Sequence, residues 1–338
     1  MIAVDQRFGG TAAKPITRWT GILLEEPDPG FLGTAGDDGS ISVSVVNVLE
    51  PLRRARDLDR PLTVGEAIEL RDAIGTLTHE AVHLMTEFGD ATAPDAYPYD
   101  SAAEADNEGR TEYWTHLNLD DVILDVFPDA GLDHVVDAVQ SQTTIDAYPA
   151  YTPAVRAIDQ ALAERSGLTS EQVTQKLLLA DDAQRWNVAV DLVIDARLVK
   201  PGLMPERDRD DVRRELVAPL RQAMSGLEAV ESSDLLEDDE KSLASSEAAQ
   251  HAIAGLDAAL DRVERRYRTG LAQRSRQHAL DAENQGAQLS PELQQLRAVT
   301  GGSAPAGEAV KGQTDPAARG PRTKGPRHRQ GDRGLSGP

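Results

Sequence analysis

The sequence predicts a mainly helical α+β fold. Apolar residues recur at three- and four-residue intervals over most of the chain, which is the spacing of amphipathic helices. One segment, residues 40–48, mostly alternates polar and apolar residues and is rich in β-branched types, as a strand requires. Of thirteen aromatic residues, twelve lie between Phe8 and Trp186. Because large aromatics supply much of a compact core, we expect the main domain to span residues 1–200.

The strand at residues 40–48 follows Asp37-Asp38-Gly39, a turn signal. The first long helix is predicted to begin after Thr63, because Thr63-Val64-Gly65-Glu66 has the spacing of a capping box. Apolar residues follow at helical spacing as far as Phe88, and Gly89 is predicted to be the residue just past the C-terminal end.

His79-Glu80-Ala81-Val82-His83, near the end of this helix, is an HExxH motif. Histidines at positions i and i+4 lie on one helical face, so both imidazoles can reach one metal ion. Glu80 points to the side of that face, where a carboxylate can hold a water and take its proton. The motif predicts a metal site with Glu80 as general base. The alternative is a helix whose histidines are ordinary surface or core residues.

A second helix is expected from Ser101, because Ser101 and Glu104 again have capping-box spacing. On this helix Glu104, Glu108 and Glu112 would share one face. A catalytic zinc usually has three protein ligands, and the chain has no cysteine, so the third ligand must be His, Asp or Glu. A metal ion opposite the row would offset the repulsion between these like charges.

The HExxH motif followed by Asn107-Glu108-Gly109-Arg110-Thr111-Glu112-Tyr113 resembles the gluzincin metallopeptidases, the thermolysin-like and aminopeptidase-type group. The resemblance covers residues 63–115. It implies a zincin-like domain, with a small sheet followed by a helical subdomain, that holds one Zn²⁺ ion. His79, His83 and Glu108 would be the ligands, with Glu104 as the alternative to Glu108, and Glu112 would orient a zinc-bound histidine.

The class chemistry implied by this resemblance is peptide-bond hydrolysis, with Glu80 as general base and a Tyr or His as transition-state donor. The candidate donors are Tyr148, Tyr151 and His116, with His134 as a further candidate; His116 continues the helical face of Glu108 and Glu112. The favoured alternative for each one is an ordinary core or surface residue. The strand at residues 40–48 could be an edge strand that holds an extended peptide, or a purely structural strand.

Helices are further predicted at residues 132–140, from Thr152-Pro153 to Ser166, from residue 169, and from Trp186 to about Leu198. After the break at Lys200-Pro201-Gly202, two long helices at 207–230 and 241–284 carry apolar stripes. They predict a helical hairpin or coiled-coil-like extension at 205–290, which could also mediate self-association. Residues 299–338, rich in Gly, Pro, Arg and Lys, are expected to form a disordered basic tail.

The net charge of −22 is unevenly spread: residues 301–338 carry +4 and the remaining 300 residues carry −26. Nucleic acid is therefore not expected as a partner of this acidic body, because binding phosphates requires basic surface. No signal peptide and no membrane span are evident, which favours a cytoplasmic location. A peptide or protein substrate is expected. Two other functions remain open: a helical interaction or scaffold protein with a structural or inactive metal site, and a processing peptidase specific for one protein partner. The sequence does not indicate the substrate sequence, or whether an endopeptidase or exopeptidase is encoded.

Overall fold

The computed structural model describes residues 1–10, 16–287 and 291–301, and over these residues the chain is mainly helical with one small three-stranded sheet. This confirms the predicted α+β class with helix in the majority. The strands are β1 Leu23–Glu26, β2 Gly33–Ala35 and β3 Ile41–Ser44. The α-helices are α1 Ile2–Arg7, α2 Glu50–Asp57, α3 Val64–His83, α4 Ser101–Ala130, α5 Val136–Gln140, α6 Thr152–Ser166, α7 Ser170–Leu178, α8 Arg185–Ile194, α9 Arg209–Ser225, α10 Glu228–Glu231, α11 Asp238–Ala287 and α12 Pro291–Gly301.

The sheet has the order β1-β3-β2, with β1 parallel and β2 antiparallel to β3. The strand predicted at residues 40–48 is therefore shorter than expected and central rather than at an edge. It ends at Ser44 because the Ser44 hydroxyl accepts a hydrogen bond from the Asn47 N–H (3.1 Å) and the chain turns into a π-helix, Val45–Leu49. Strand β2 forms the edge of the sheet next to α3, and no strand was predicted at its position.

Helix α3 begins as predicted and ends earlier than predicted. The Thr63 hydroxyl accepts from the Glu66 N–H (3.3 Å), and the Glu66 carboxylate accepts from the Thr63 N–H (2.9 Å), which completes the capping box. The helix ends at His83, not near Gly89. Arg18 donates hydrogen bonds to two carbonyls beyond this end. Its backbone N–H donates to the carbonyl of Leu84 (2.8 Å), and its guanidinium donates to the carbonyl of Thr86 (2.5 Å). These carbonyls are thereby satisfied outside the helix.

Helix α4 begins at Ser101 as predicted, but with a different cap. The Asp100 carboxylate accepts from the N–H groups of Ala102 (3.2 Å) and Ala103 (3.3 Å), so the expected pairing of Ser101 with Glu104 is not formed. The helix continues for 30 residues to Ala130 and packs along α3. Gly131 follows with a φ of 72°, a left-handed conformation that suits glycine at a helix end.

The later helices lie close to their predicted positions. The segment at 132–140 is a 3-10 turn, Asp133–Val135, followed by α5. Helix α6 ends before Gly167, whose φ is 78°, and α7 has a capping box of Thr169 and Gln172. Helix α8 continues into a second π-helix, Asp195–Val199.

The core continues past residue 200, where the main domain was expected to end. Buried leucines of α9 and α11 share one core with α6 and α8. Helices α9 and α11 lie against each other in opposite directions: Glu215 pairs with Arg266 (3.1 Å), and Pro219 faces Gly255. Residues 1–275 form one compact unit, and residues 276–338 are grouped as a second.

The basic tail predicted at 299–338 falls mostly outside the described residues. Residues 299–301, which were expected to be disordered, are the last residues of α12. None of the helices in the described part of the chain is long and apolar enough to cross a membrane.

Candidate metal centre

Helices α3 and α4 bring three predicted ligands together. His79 Nε2 lies 3.1 Å from Glu108 Oε2, His83 Nε2 lies 3.2 Å from the same oxygen, and the two imidazole nitrogens are 3.0 Å apart. These three residues could hold a metal ion. Glu104, the alternative third ligand, lies one turn earlier on α4 with its side chain exposed, and it is not part of the group.

Glu112 orients His79 from the side away from the cluster. The Nδ1 of His79 lies 2.8 Å from Glu112 Oε2, so this nitrogen carries a proton, and it is Nε2 that would offer its lone pair to a metal ion. The other Glu112 oxygen accepts from His116 Nε2 (3.0 Å) and from the Ala147 N–H (3.0 Å). Burial alone would raise the pKa of Glu112, but the hydrogen bonds from His116 and His79 lower it to about 2.

His83 is held by residues that the sequence analysis did not assign. Its Nδ1 lies 3.2 Å from the side-chain amide of Asn107. The side-chain oxygen of Asn107, Oδ1, accepts a hydrogen bond from Arg185 Nη1 (2.9 Å). The same guanidinium donates to the carboxylate of Asp182 (2.6 Å). Arg185 is only 4% exposed. The one sequence signal that Arg185 is buried and needs a polar partner was its position directly before Trp186, in a strongly apolar helix.

Glu80 lies on the sheet side of the cluster and is 7% exposed. Its carboxylate accepts from the backbone N–H of Ala35 in β2. A Cβ at Gly33 would lie 2.9 Å from Glu80 Cγ, so only glycine lets β2 come this close. Burial raises the pKa of Glu80, and the nearby His83 and His79 act against this.

The charge of the cluster suits a cation. Burial alone would lower the pKa of His79, but hydrogen bonds with Glu108 and Glu112 raise it to about 10. For Glu108, burial acts to raise the pKa, yet His83 and His79 hold it well below its usual range. Three carboxylates therefore surround two imidazoles at short range, an arrangement that a metal ion would neutralise.

Of the suggested transition-state donors, Tyr148 alone faces the cluster. Its ring stacks on His79 with centroids 5.5 Å apart, and its hydroxyl donates to Glu108. Tyr151 lies behind Tyr148, with centroids 5.8 Å apart, and packs into the core. His116 is occupied with Glu112, and His134 is exposed on the 3-10 turn after α4.

Two cavities meet at the cluster, one of about 520 Å³ and one of about 490 Å³. Gly33, Glu80 and Tyr148 line both of them, His79 lines the larger, and His83 and Glu108 line the smaller. The candidate centre is therefore reached from both sides along β2. That accessibility is typical of a reacting centre, whereas structural metal sites are closed.

Comparisons of this chain with protein-family models, with curated proteins and with solved structures found no match.

Proposed function

We propose that this protein is a zinc-dependent peptidase with a zincin-like catalytic domain of the gluzincin type. The observation that carries the proposal is the triangle of His79, His83 and Glu108 beside the buried carboxylate of Glu80, in a cleft open on both sides.

The donor set and its spacing suit zinc. Histidine nitrogen and carboxylate oxygen bind Zn²⁺ at roughly 2.0–2.2 Å, so the ligand atoms of a tetrahedral ion are separated by roughly 3.3 Å. The separations of 3.0, 3.1 and 3.2 Å are close to that value. Three protein ligands also leave a fourth position for water, as catalytic zinc sites do.

The residues around the triangle have the roles that hydrolysis needs. Zinc, when bound, supplies a Lewis acid that polarises the scissile carbonyl and acidifies water. Glu80 takes the proton of the attacking water and returns it to the leaving amine. The Tyr148 hydroxyl donates to the developing oxyanion.

Substrate binding is assigned to the edge strand. Strand β2 pairs with β3 on one side only, so the backbone groups of its other side, apart from the Ala35 N–H that is bound to Glu80, are available to an extended peptide. The close approach of Gly33 and Ala35 to Glu80 would bring such a peptide next to the general base. The substrate is thus a peptide or an extended protein segment.

The proposal is tested by metal analysis and by cleavage of a peptide library. The wild type should bind one zinc ion and cleave. Glu80→Gln should keep the zinc and lose cleavage, and Glu108→Ala should bind zinc much more weakly. Glu104→Ala, which changes an exposed glutamate one turn away, is the matched control and should behave as the wild type.

Two results would contradict the proposal in different ways. A wild type purified without chelators that contains no stoichiometric metal removes the metal centre altogether. A wild type that holds zinc but cleaves no member of the library leaves a structural metal site, and with it the scaffold function.

A further inference from the structure

The larger cavity extends from the candidate centre toward the first turns of α3. Its inner end is formed by His79, Glu80 and Tyr148. Farther from the centre it is lined by Asp72 of α3 and Thr115 of α4, among other residues. Asp72 precedes His79 by seven residues, which is roughly 10 Å along a helix. A substrate side chain that entered this cavity from a peptide on β2 would therefore point toward Asp72.

The charges in this part of the cavity are predominantly negative. Arg54 is the one arginine or lysine among its lining residues, and it is paired with Glu69 (2.7 Å). Glu50 and Asp72 have no ion-pair partner among the described residues. Arg71, the neighbour of Asp72 in sequence, is bound to Asp120 (2.7 Å) and Thr144 (2.7 Å); its charge lowers the pKa of Asp72, but it forms no ion pair with that carboxylate. Glu50 and Asp72 thus remain without a cation in direct contact.

Asp72 is the more buried of these two carboxylates. It accepts a hydrogen bond from the backbone N–H of Ile145, and burial raises its pKa above the usual value. Burial outweighs the opposing effect of the Arg71 charge, and a carboxylate that is partly removed from water and forms no ion pair favours a positive group that reaches it.

Thr115 provides an independent sign that a polar ligand belongs in this cavity. It is only 1% exposed, and its hydroxyl has no hydrogen-bond partner within the described part of the chain. Buried hydroxyls are nearly always paired, so an unpaired one next to a cavity calls for a partner. A threonine hydroxyl can accept a hydrogen bond from a cationic N–H group.

The remaining lining suits an aliphatic stem. Leu32, Val46 and Ile145 all line the cavity and are 51%, 42% and 65% exposed. Apolar walls with a carboxylate beyond them match the side chains of lysine and arginine, which bury their methylene groups along apolar surface and carry the charge at the end.

We propose that this cavity is a specificity pocket for a lysine or arginine side chain of the substrate. The cationic group binds Asp72 and Thr115, and the methylene groups pack on Leu32, Val46 and Ile145. The inference rests on the proposed function in one respect, that the ligand is a peptide held along β2 beside Glu80.

The test measures binding, so that it does not depend on cleavage. Fluorescein-labelled alanine-based peptides with one lysine, or with the uncharged norleucine in its place, are titrated into zinc-loaded Glu80→Gln, and binding is followed by fluorescence anisotropy. The lysine peptide should bind roughly tenfold more tightly, the ratio expected for one charge-assisted hydrogen bond. Adding Asp72→Asn should remove most of this preference.

Two further variants exclude trivial explanations. Asp129→Asn removes the same charge from an exposed site at the end of α4 and should leave the preference intact, although the whole protein is acidic. Thr115→Val removes only the unpaired hydroxyl, so no existing hydrogen bond is lost on folding. It should weaken binding of the lysine peptide several-fold and leave binding of the norleucine peptide unchanged.

Equal or undetectable binding of the two peptides to Glu80→Gln would overturn the pocket, as would a lysine preference that survives both Asp72→Asn and Thr115→Val. The proposed function fails by a different result. A zinc-loaded wild type that shows the lysine preference in binding but cleaves no peptide would contradict the peptidase and leave the pocket in place.

Discussion

Tyr148 and Tyr151 lie three residues apart in one segment, yet their surroundings separate their roles. Tyr148 lines both cavities and donates to Glu108, whereas Tyr151 is 5% exposed and packs in the core behind it. Sequence spacing could not distinguish them, because the segment before α6 is irregular and has no periodicity from which a facing direction follows.

Tyr148→Phe should lower kcat/KM about 100-fold while KM stays near the wild-type value, because the proposed contact of the hydroxyl with the substrate is to the charge that develops in the transition state. The variant also loses the hydrogen bond to Glu108, so its zinc content is measured alongside. Tyr151→Phe is the matched control and should keep nearly full activity. Steady-state kinetics on one cleaved peptide, with metal analysis of each variant, checks the pair. Equal losses in the two variants would mean that packing of the segment, rather than a hydroxyl at the centre, is responsible.

Sequence spacing was also insufficient to assign the role of His116. His116 shares a face of α4 with Glu112, as the helical spacing predicted, but it is bound to the Glu112 carboxylate and lines neither cavity. Spacing along one helix correctly predicted that the two side chains would be neighbours. Which of these two side chains faces the proposed metal ligands depends on where α3 packs against α4.

At the scale of elements, the close contact of α4 with the segment that carries Tyr148 depends on Gly109. A Cβ at this position would lie 2.8 Å from Tyr151 Cβ and 2.9 Å from its carbonyl carbon. Gly109 directly follows the ligand Glu108, so a displacement here would change the distance between Glu108 and Tyr148.

Gly109→Ala should therefore destabilise the protein by about 1–3 kcal/mol, a typical cost of overpacking, and weaken zinc binding. Gly65→Ala is the control: it lies in the first turn of α3 with no atom within 4 Å of the new Cβ, and it should be neutral or stabilising by up to about 1 kcal/mol. Urea unfolding and zinc titration measure both effects. Unchanged zinc affinity in Gly109→Ala would show that the contact does not determine the site geometry.

The ends of the elements divide into those that local sequence determines and those that it does not. The capping boxes of α3 and α7 formed as predicted, because all their bonds lie within four residues. The ends of α3 and of the central strand β3 were predicted wrongly. At the end of α3, Arg18 donates hydrogen bonds to backbone carbonyls although it lies more than 60 residues away in sequence. After β3, the side-chain amide of Asn47 donates hydrogen bonds to the backbone carbonyls of Pro29 and Phe31.

At the scale of the whole molecule, the C-terminal helices support the domain that carries the centre. The Ser245 hydroxyl of α11 accepts from the Ala154 N–H (2.9 Å), one of the free donors at the start of α6. Glu231 of α10 accepts from the Ala150 N–H (2.8 Å). Both bonds hold the segment that contains Tyr148 and Tyr151.

A chain that ends at residue 200 is therefore expected not to fold, whereas one that ends at residue 275 should unfold cooperatively. The shorter chain loses the buried leucines Leu216, Leu220, Leu256 and Leu260. At about 1.5–3 kcal/mol each, their burial is worth roughly 6–12 kcal/mol, as much as the whole stability of a typical domain. Circular dichroism and urea unfolding of the two chains check this. Cooperative unfolding of the 1–200 chain would restore the boundary expected from the aromatic residues.

The sequence by itself determined the helical class, the starts of the long helices and the residues that could hold a metal ion. Helix periodicity and the HExxH spacing are local properties, and they remain when the rest of the fold is unknown. The tertiary structure decided what depends on packing between distant segments. It brings Glu108 rather than Glu104 to the histidines, turns Tyr148 and not Tyr151 toward them, and aligns β2 with Glu80. It also leaves Asp72 without an ion pair in a cavity beside the centre, because Arg71 and Arg54 are paired with other carboxylates.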